Sequence, residues 1–225
     1  MESLRRRGRK HQSDKQLSLP IQPGHHKLIL RGTRAQNEGK ADRRGGGEKI
    51  AVLSPPTSML AALLRAPNSV EANPLILADI PKPSPREHEI CLQVHCCAIC
   101  RTDLHTVEGE LPLPKLPVVP GHQIVGIVEA LGRGVKRFKE GDRAGVAWLR
   151  HTCGSCRYCR DENENLCDRA EFTGLQADGG YAQWTTVHEA FAYSLPSAFS
   201  DRQAAPLLCA GVIGYRALRL SEVRK

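Results

Sequence analysis

Residues 89–105, EICLQVHCCAICRTDLH, decide the fold. In the first part, 89–99, Ile90, Leu92, Val94, Cys96 and Ala98 alternate with Cys91, Gln93, His95 and Cys97. A period of two predicts a β-strand with one buried face. Cys100 then opens the hexapeptide CRTDLH, which sets Arg101, Thr102, Asp103 and His105 within one or two helical turns of its thiol. A lone cysteine is usually core material. This company makes Cys100 a site candidate.

Working outward, apolar runs at 59–64 and 74–80, bounded by Asn and Pro, predict two more strands. Residues 124–131, 143–148 and 181–187 predict three others. Residues 111–121, LPLPKLPVVPG, carry four prolines and must run as an extended loop. Asp201 reads as the N-cap of a long helix over 202–220. No internal repeat occurs. The expected architecture is mainly β with short helices, closed by a C-terminal helix.

The charge is uneven. Residues 1–58 hold 13 Lys and Arg against 5 Asp and Glu, which accounts for the whole net charge of +8. The rest of the chain is neutral, so the basic pI of about 9.1 belongs to this segment and does not argue for nucleic-acid binding. Arg runs, a triple glycine and Pro55-Pro56 with no hydrophobic period predict a disordered basic extension over 1–58. A basic arm for anionic partners and an extension upstream of a natural start at Met59 are the alternatives. No apolar h-region follows the basic opening, and no stretch approaches the ~18 apolar residues of a membrane span. All nine cysteines lie at or after Cys91, an odd number without disulfide-framework spacing. The expectation is a reducing, cytoplasmic setting with neither membrane nor nucleic acid as partner.

Cys153, Cys156, Cys159 and Cys167 form C-x2-C-x2-C-x7-C within a polar lobe at 150–170. Short gaps let one turn of backbone aim successive thiolates at one centre, and four sulfurs describe a closed structural zinc site. The bacterial ferredoxin pattern ends in a three-residue gap and Cys-Pro, whereas Asp168 follows here. Cys100, His122 and Cys209 are too dispersed for spacing alone to join them.

The segments VHCCAICRTDLH, PVVPGHQIVGIVEALGRGV, the four-cysteine lobe and APLLCAGVIGYRAL resemble, in order and spacing, the zinc-dependent medium-chain alcohol dehydrogenases. The resemblance implies a GroES-like, partly open β-barrel over 59–200 and a helix at 201–225 leading toward a Rossmann domain. It makes Cys100, His122 and Cys209 the ligands of a catalytic zinc, beside the structural zinc of the four-cysteine lobe. Thr102 becomes the hydroxyl that passes on the substrate proton and His105 the distal relay base. Asp103 becomes the carboxylate that orients His122, and Arg101 a contact to the cofactor pyrophosphate. The implied activity is oxidoreduction of a small alcohol or aldehyde with NAD or NADP, in a full-length form expected to be a homo-oligomer. Trp148 falls where the family places an aromatic pocket wall, with core packing as its alternative, and Leu111 where some members carry a second aromatic.

Two departures bear on this. Gln123 stands where the family usually has Glu, and a neutral amide cannot supply that carboxylate's charge. No G-x-G-x-x-G occurs before Lys225, and Gly132-x-Gly134 lacks the third glycine. The expectation is a catalytic-domain fragment without its nucleotide-binding domain, inactive by itself. A standalone zinc-binding GroES-like protein without catalysis is the alternative.

Overall fold

The computed structural model describes residues 56–223. The disordered extension expected over 1–58 lies outside the described residues, save its last three positions. There Ser58 already begins the first strand, β1 (Ser58–Leu64), which pairs antiparallel with β2 (Leu75–Pro81).

Next come β3 (Glu89–Ala98), α1 (Arg101–Glu108), β4 (Gln123–Leu131) and β5 (Arg143–Val146). β6 (Leu149–His151), α2 (Arg157–Arg160) and β7 (Glu171–Phe172) form the lobe and its base, and β8 (Trp184–His188) and β9 (Ala192–Ser194) return to the main sheet. That sheet has the order β8-β3-β4-β5-β9, antiparallel throughout. β1 curls toward it through bridges Ala61–Ala182 and Leu64–Val118. The result is mainly β, a curled and open half-barrel with short helices. Ile90, Leu92, Ile124, Val128, Val146 and Val187 fill its main core, and Met59, Ala61, Leu63 and Val119 a second.

The single buried face expected for 89–99 is corrected by bulges. The ladder between β3 and β4 shifts at Cys91/Leu92 and again at Val94/Cys96. The first shift puts the extra residue, Glu129, on β4 and leaves Ile90, Leu92 and Val94 on one face; the second puts it, His95, on β3 and reverses which β3 side chains point inward beyond it. Val94 and Cys97 therefore pack on the main core, while Cys96 and Ala98 turn to a third cluster with Val125 and Leu208. Gly126, opposite the second shift, permits this close approach: a Cβ there would stand 2.2 Å from the Gln93 carbonyl oxygen. Gly132 is a packing glycine too, since its Cβ would meet the Arg86 carbonyl oxygen at 1.6 Å. β5 ends at Val146, so Trp148 sits in the joint before β6 and not in the strand expected over 143–148. Residues 111–121 carry no strand or helix, as four prolines require.

The long helix expected over 202–220 is two helices. Ser200, not Asp201, is the N-cap, with Gln203 completing a reciprocal capping pair. α3 (Asp201–Ala204) tightens into a 3-10 turn, Ala205–Leu208, that carries Pro206. Proline has no N–H for the i−4 bond, so the α-helical ladder fails there. The chain leaves helical geometry at Cys209 (φ −133°, ψ −80°), and α4 (Ala210–Leu220) begins after it. Among the described residues no helix is long and apolar enough to cross a membrane.

Candidate metal centres

In the lobe the four cysteine sulfurs all lie within 4.8 Å of one another. Cys153 and Cys159 are 3.9 Å apart and Cys156 and Cys159 3.5 Å, sulfur to sulfur. Tetrahedral bonds of 2.3 Å to zinc would set sulfurs about 3.8 Å apart. Backbone amides also converge: Cys156 N–H donates to Cys153 Sγ at 3.3 Å, and the Cys153 and Arg169 amides to Cys167 Sγ at 3.4 Å. The amides of Ser155 and Cys156 lower the Cys153 thiol to about 5. Burial and the neighbouring thiols push Cys159 up to about 11. Within 150–170 only Cys167 is buried, so the lobe has no apolar core of its own. A donor set of sulfurs in a loop without a core fits a structural metal.

The second centre is assembled from three elements. Cys100 is the N-cap of α1, His122 immediately precedes β4, and Cys209 sits at the break between the C-terminal helices. Their ligand atoms lie within 4.8 Å of one another, with the two sulfurs 3.8 Å apart. Asp103, 4% exposed, joins the parts. Its Oδ1 lies 2.9 Å from His122 Nδ1, while Oδ2 accepts the Cys100 amide at 2.8 Å and the Tyr181 hydroxyl at 3.0 Å. An acceptor at Nδ1 fixes the proton there and leaves Nε2 as a lone pair. That Nε2 is buried and has no hydrogen-bond partner among the described residues. A buried nitrogen lone pair facing two sulfurs costs free energy unless something binds it. The site fits a thiophilic cation.

Electrostatics agree with this arrangement. Burial opposes ionisation of Cys100, but hydrogen bonds with the Thr102 backbone and side chain and with Cys209, together with the charge of His122, bring its thiol below the ordinary value. Burial and the Cys100 sulfur push Cys209 up to about 11. The pair thus yields its first proton readily and its second reluctantly, because two thiolates at 3.8 Å repel. A dication between them removes that penalty. Burial lowers the basicity of His122, and the bond and charge of Asp103 more than reverse this.

Thr102 is half-buried with its hydroxyl 3.7 Å from Cys100 Sγ. His105 stands further along α1, partly exposed, paired through Nδ1 with Glu110. Arg101 is exposed on the first turn. Gln123 is buried and turns its amide to the Ala98 carbonyl at 3.4 Å. Trp148 meets the His122 ring edge-on at 4.8 Å between centroids and stacks on Phe172 at 4.9 Å. Leu111 is half-buried in the proline-rich loop. Tyr181, Phe172 and Glu110 escaped the sequence reading. The first follows a double glycine, Gly179-Gly180, a sign of close backbone approach, whereas nothing local marks the other two.

The alcohol dehydrogenase GroES-like domain matches residues 86–197. A probable alcohol dehydrogenase of Mycobacterium tuberculosis is 49% identical over 181 residues, 76% of this chain and 52% of that protein. An alcohol dehydrogenase of Geobacillus stearothermophilus is 40% identical over 152 residues, 67% of this chain and 45% of its own. Among solved structures, an acetophenone reductase of Geotrichum candidum in complex with NAD superposes with a TM-score of 0.67 at 29% identity, covering 76% of this chain and 50% of that one. A cinnamyl alcohol dehydrogenase of Sorghum bicolor gives 0.65 at 30% identity, with 73% and 48% covered. The chain spans about half the length of the curated relatives it matches. With a curled half-barrel, a tetrathiol lobe and these relatives in agreement, the chain carries a GroES-like domain homologous to the zinc-dependent medium-chain alcohol dehydrogenase family.

Proposed function

We propose that this chain is the zinc-binding part of an NAD- or NADP-linked alcohol dehydrogenase acting on a small alcohol or aldehyde. The observation that carries the reading is the buried, partnerless Nε2 of His122, set among two thiols by Asp103. Cys100, His122 and Cys209 would hold the catalytic zinc, three protein ligands being the number such sites use. When bound, zinc supplies Lewis acidity toward an alcohol or carbonyl oxygen.

The chain's own groups serve the rest. Asp103 holds the His122 proton on Nδ1, so that the ring offers its other nitrogen. Trp148, backed by Phe172 stacked on it, sets an apolar ring against His122. The Thr102 hydroxyl, 3.7 Å from Cys100 Sγ, is placed to take up the substrate proton, and His105, backed by Glu110, to carry it toward solvent. Arg101, exposed beside them, is the contact for a cofactor pyrophosphate. Cys153, Cys156, Cys159 and Cys167 would hold the structural zinc. The domain is read as running over 59–200, with 201–225 as the segment leading toward a nucleotide-binding domain.

Metal analysis tests the reading. The purified chain is expected to carry two zinc ions, one removed by a mild chelator and one resistant. Each should be replaceable by cobalt with a thiolate-to-metal absorption band. A single ion, held by the four cysteines alone, would refute the catalytic centre.

A further inference from the structure

Cys209 reaches its centre on a segment with little to hold it. The buried side chains of 201–208 are Ala204, Ala205 and Leu208, so the apolar contact with the sheet is small. Beyond the break, α4 buries no residue at all. The front of the segment is held by charge instead. Asp201 receives Arg143 Nε on Oδ1 at 2.8 Å and lies 3.2 Å from His95 Nδ1 through Oδ2. Arg143 also donates Nη1 to the Pro196 carbonyl at 2.9 Å, which fixes the chain entering the turn. His95 belongs to β3, which delivers Cys100, and Arg143 to β5. These two strands flank β4, whose start follows His122. One carboxylate thus spans the strand between them.

We propose that Asp201 is a positioning residue for the Cys100–His122–Cys209 centre, its carboxylate shared between His95 and Arg143 so as to staple the Cys209 segment to β3, which leads to Cys100, and to β5, on the far side of the strand that follows His122. The inference rests on the reading of that trio as metal ligands. Helix polarity is an insufficient account of Asp201, because α3 has only four residues and a small dipole. The partly exposed pairs are individually weak, but both fall on one carboxylate and act on one degree of freedom, the distance of Cys209 from the other ligands.

The test is cobalt titration of the whole chain, with the four-cysteine lobe as internal reference. Asp201→Asn keeps the size and removes the charge. It is expected to weaken cobalt binding at the trio about tenfold, to shift that centre's visible absorption, and to leave the lobe unchanged. Asp201→Glu should restore most of the affinity. His95→Ala, which keeps the Arg143 pair, should lose about threefold and carries the test if Asp201→Asn does not fold. Wild-type chain that binds cobalt in the lobe alone overturns the metal reading itself. Wild type with two sites, and Asp201→Asn equal to it within about twofold, overturns only the staple. Equal weakening of both sites overturns it as well, since that would be a general folding effect.

Discussion

Asp103→Asn is the sharpest perturbation of the proposed catalytic centre, because the side chain keeps its shape and changes only what it can accept. The carboxylate serves the buried His122 Nδ1–H on one oxygen and, on the other, the partly buried Cys100 amide together with the Tyr181 hydroxyl. An asparagine has one oxygen. If that oxygen meets His122, its NH2 confronts the Cys100 amide, donor against donor. If it is flipped to serve Cys100, its NH2 donates to Nδ1, and the imidazole proton moves to Nε2, the nitrogen needed by a metal. Either way one charge-assisted bond to a donor at least partly buried is lost, worth about 1.5–3 kcal/mol. At 1.4 kcal/mol per tenfold, zinc affinity at the trio should fall roughly 10–100-fold. Competition against a chromophoric chelator measures this, with the lobe zinc as reference. Thermal melting reports any loss of fold. An Asp103→Asn chain that binds the second zinc within about twofold of wild type would refute the assignment of Asp103 as the group that sets the His122 tautomer.

Gln123→Glu removes the amide donor to the Ala98 carbonyl and buries a carboxylate in its place. We expect zinc content to be unchanged and unfolding free energy to fall by about 1–3 kcal/mol in urea titration; a chain that loses the second zinc would contradict this. Glu189 gives a pH signature. Burial raises its carboxyl, but the Arg137 and Lys136 amides, at 2.6 and 2.8 Å, and His88 hold it below the usual carboxylate range. A depressed folded value adds stability above the unfolded pKa of about 4.3, and that stability disappears as pH falls through the folded value. Glu189→Gln should therefore flatten the acid limb of the stability profile below about pH 4.3, and parallel limbs for the two chains would exclude it.

How much of this was legible depended on whether the deciding contacts were local. The lobe's four thiols sit within one loop, so their spacing announced that their sulfurs would cluster. The strand over 89–98 was legible from alternation, but its bulges were not, because a ladder shift is a property of two strands, and Gly126 on the partner allows it. The helix break at Cys209 had a signal in Pro206, which a reading of apolar period alone passed over. Cys100 and Cys209, 109 residues apart, were joined only through the family resemblance.

The sequence by itself determined the inventory: nine cysteines in their order, a β-rich body, a hexapeptide around Cys100 and a charge excess confined to its first quarter. Only the tertiary structure decided which His122 nitrogen holds the proton, that Tyr181 also leans on Asp103, and that Asp201 is shared by two strands. The reason is physical. Residue type sets what an atom can donate or accept, whereas the direction of a hydrogen bond is set by a neighbour that the chain brings close only after it has folded.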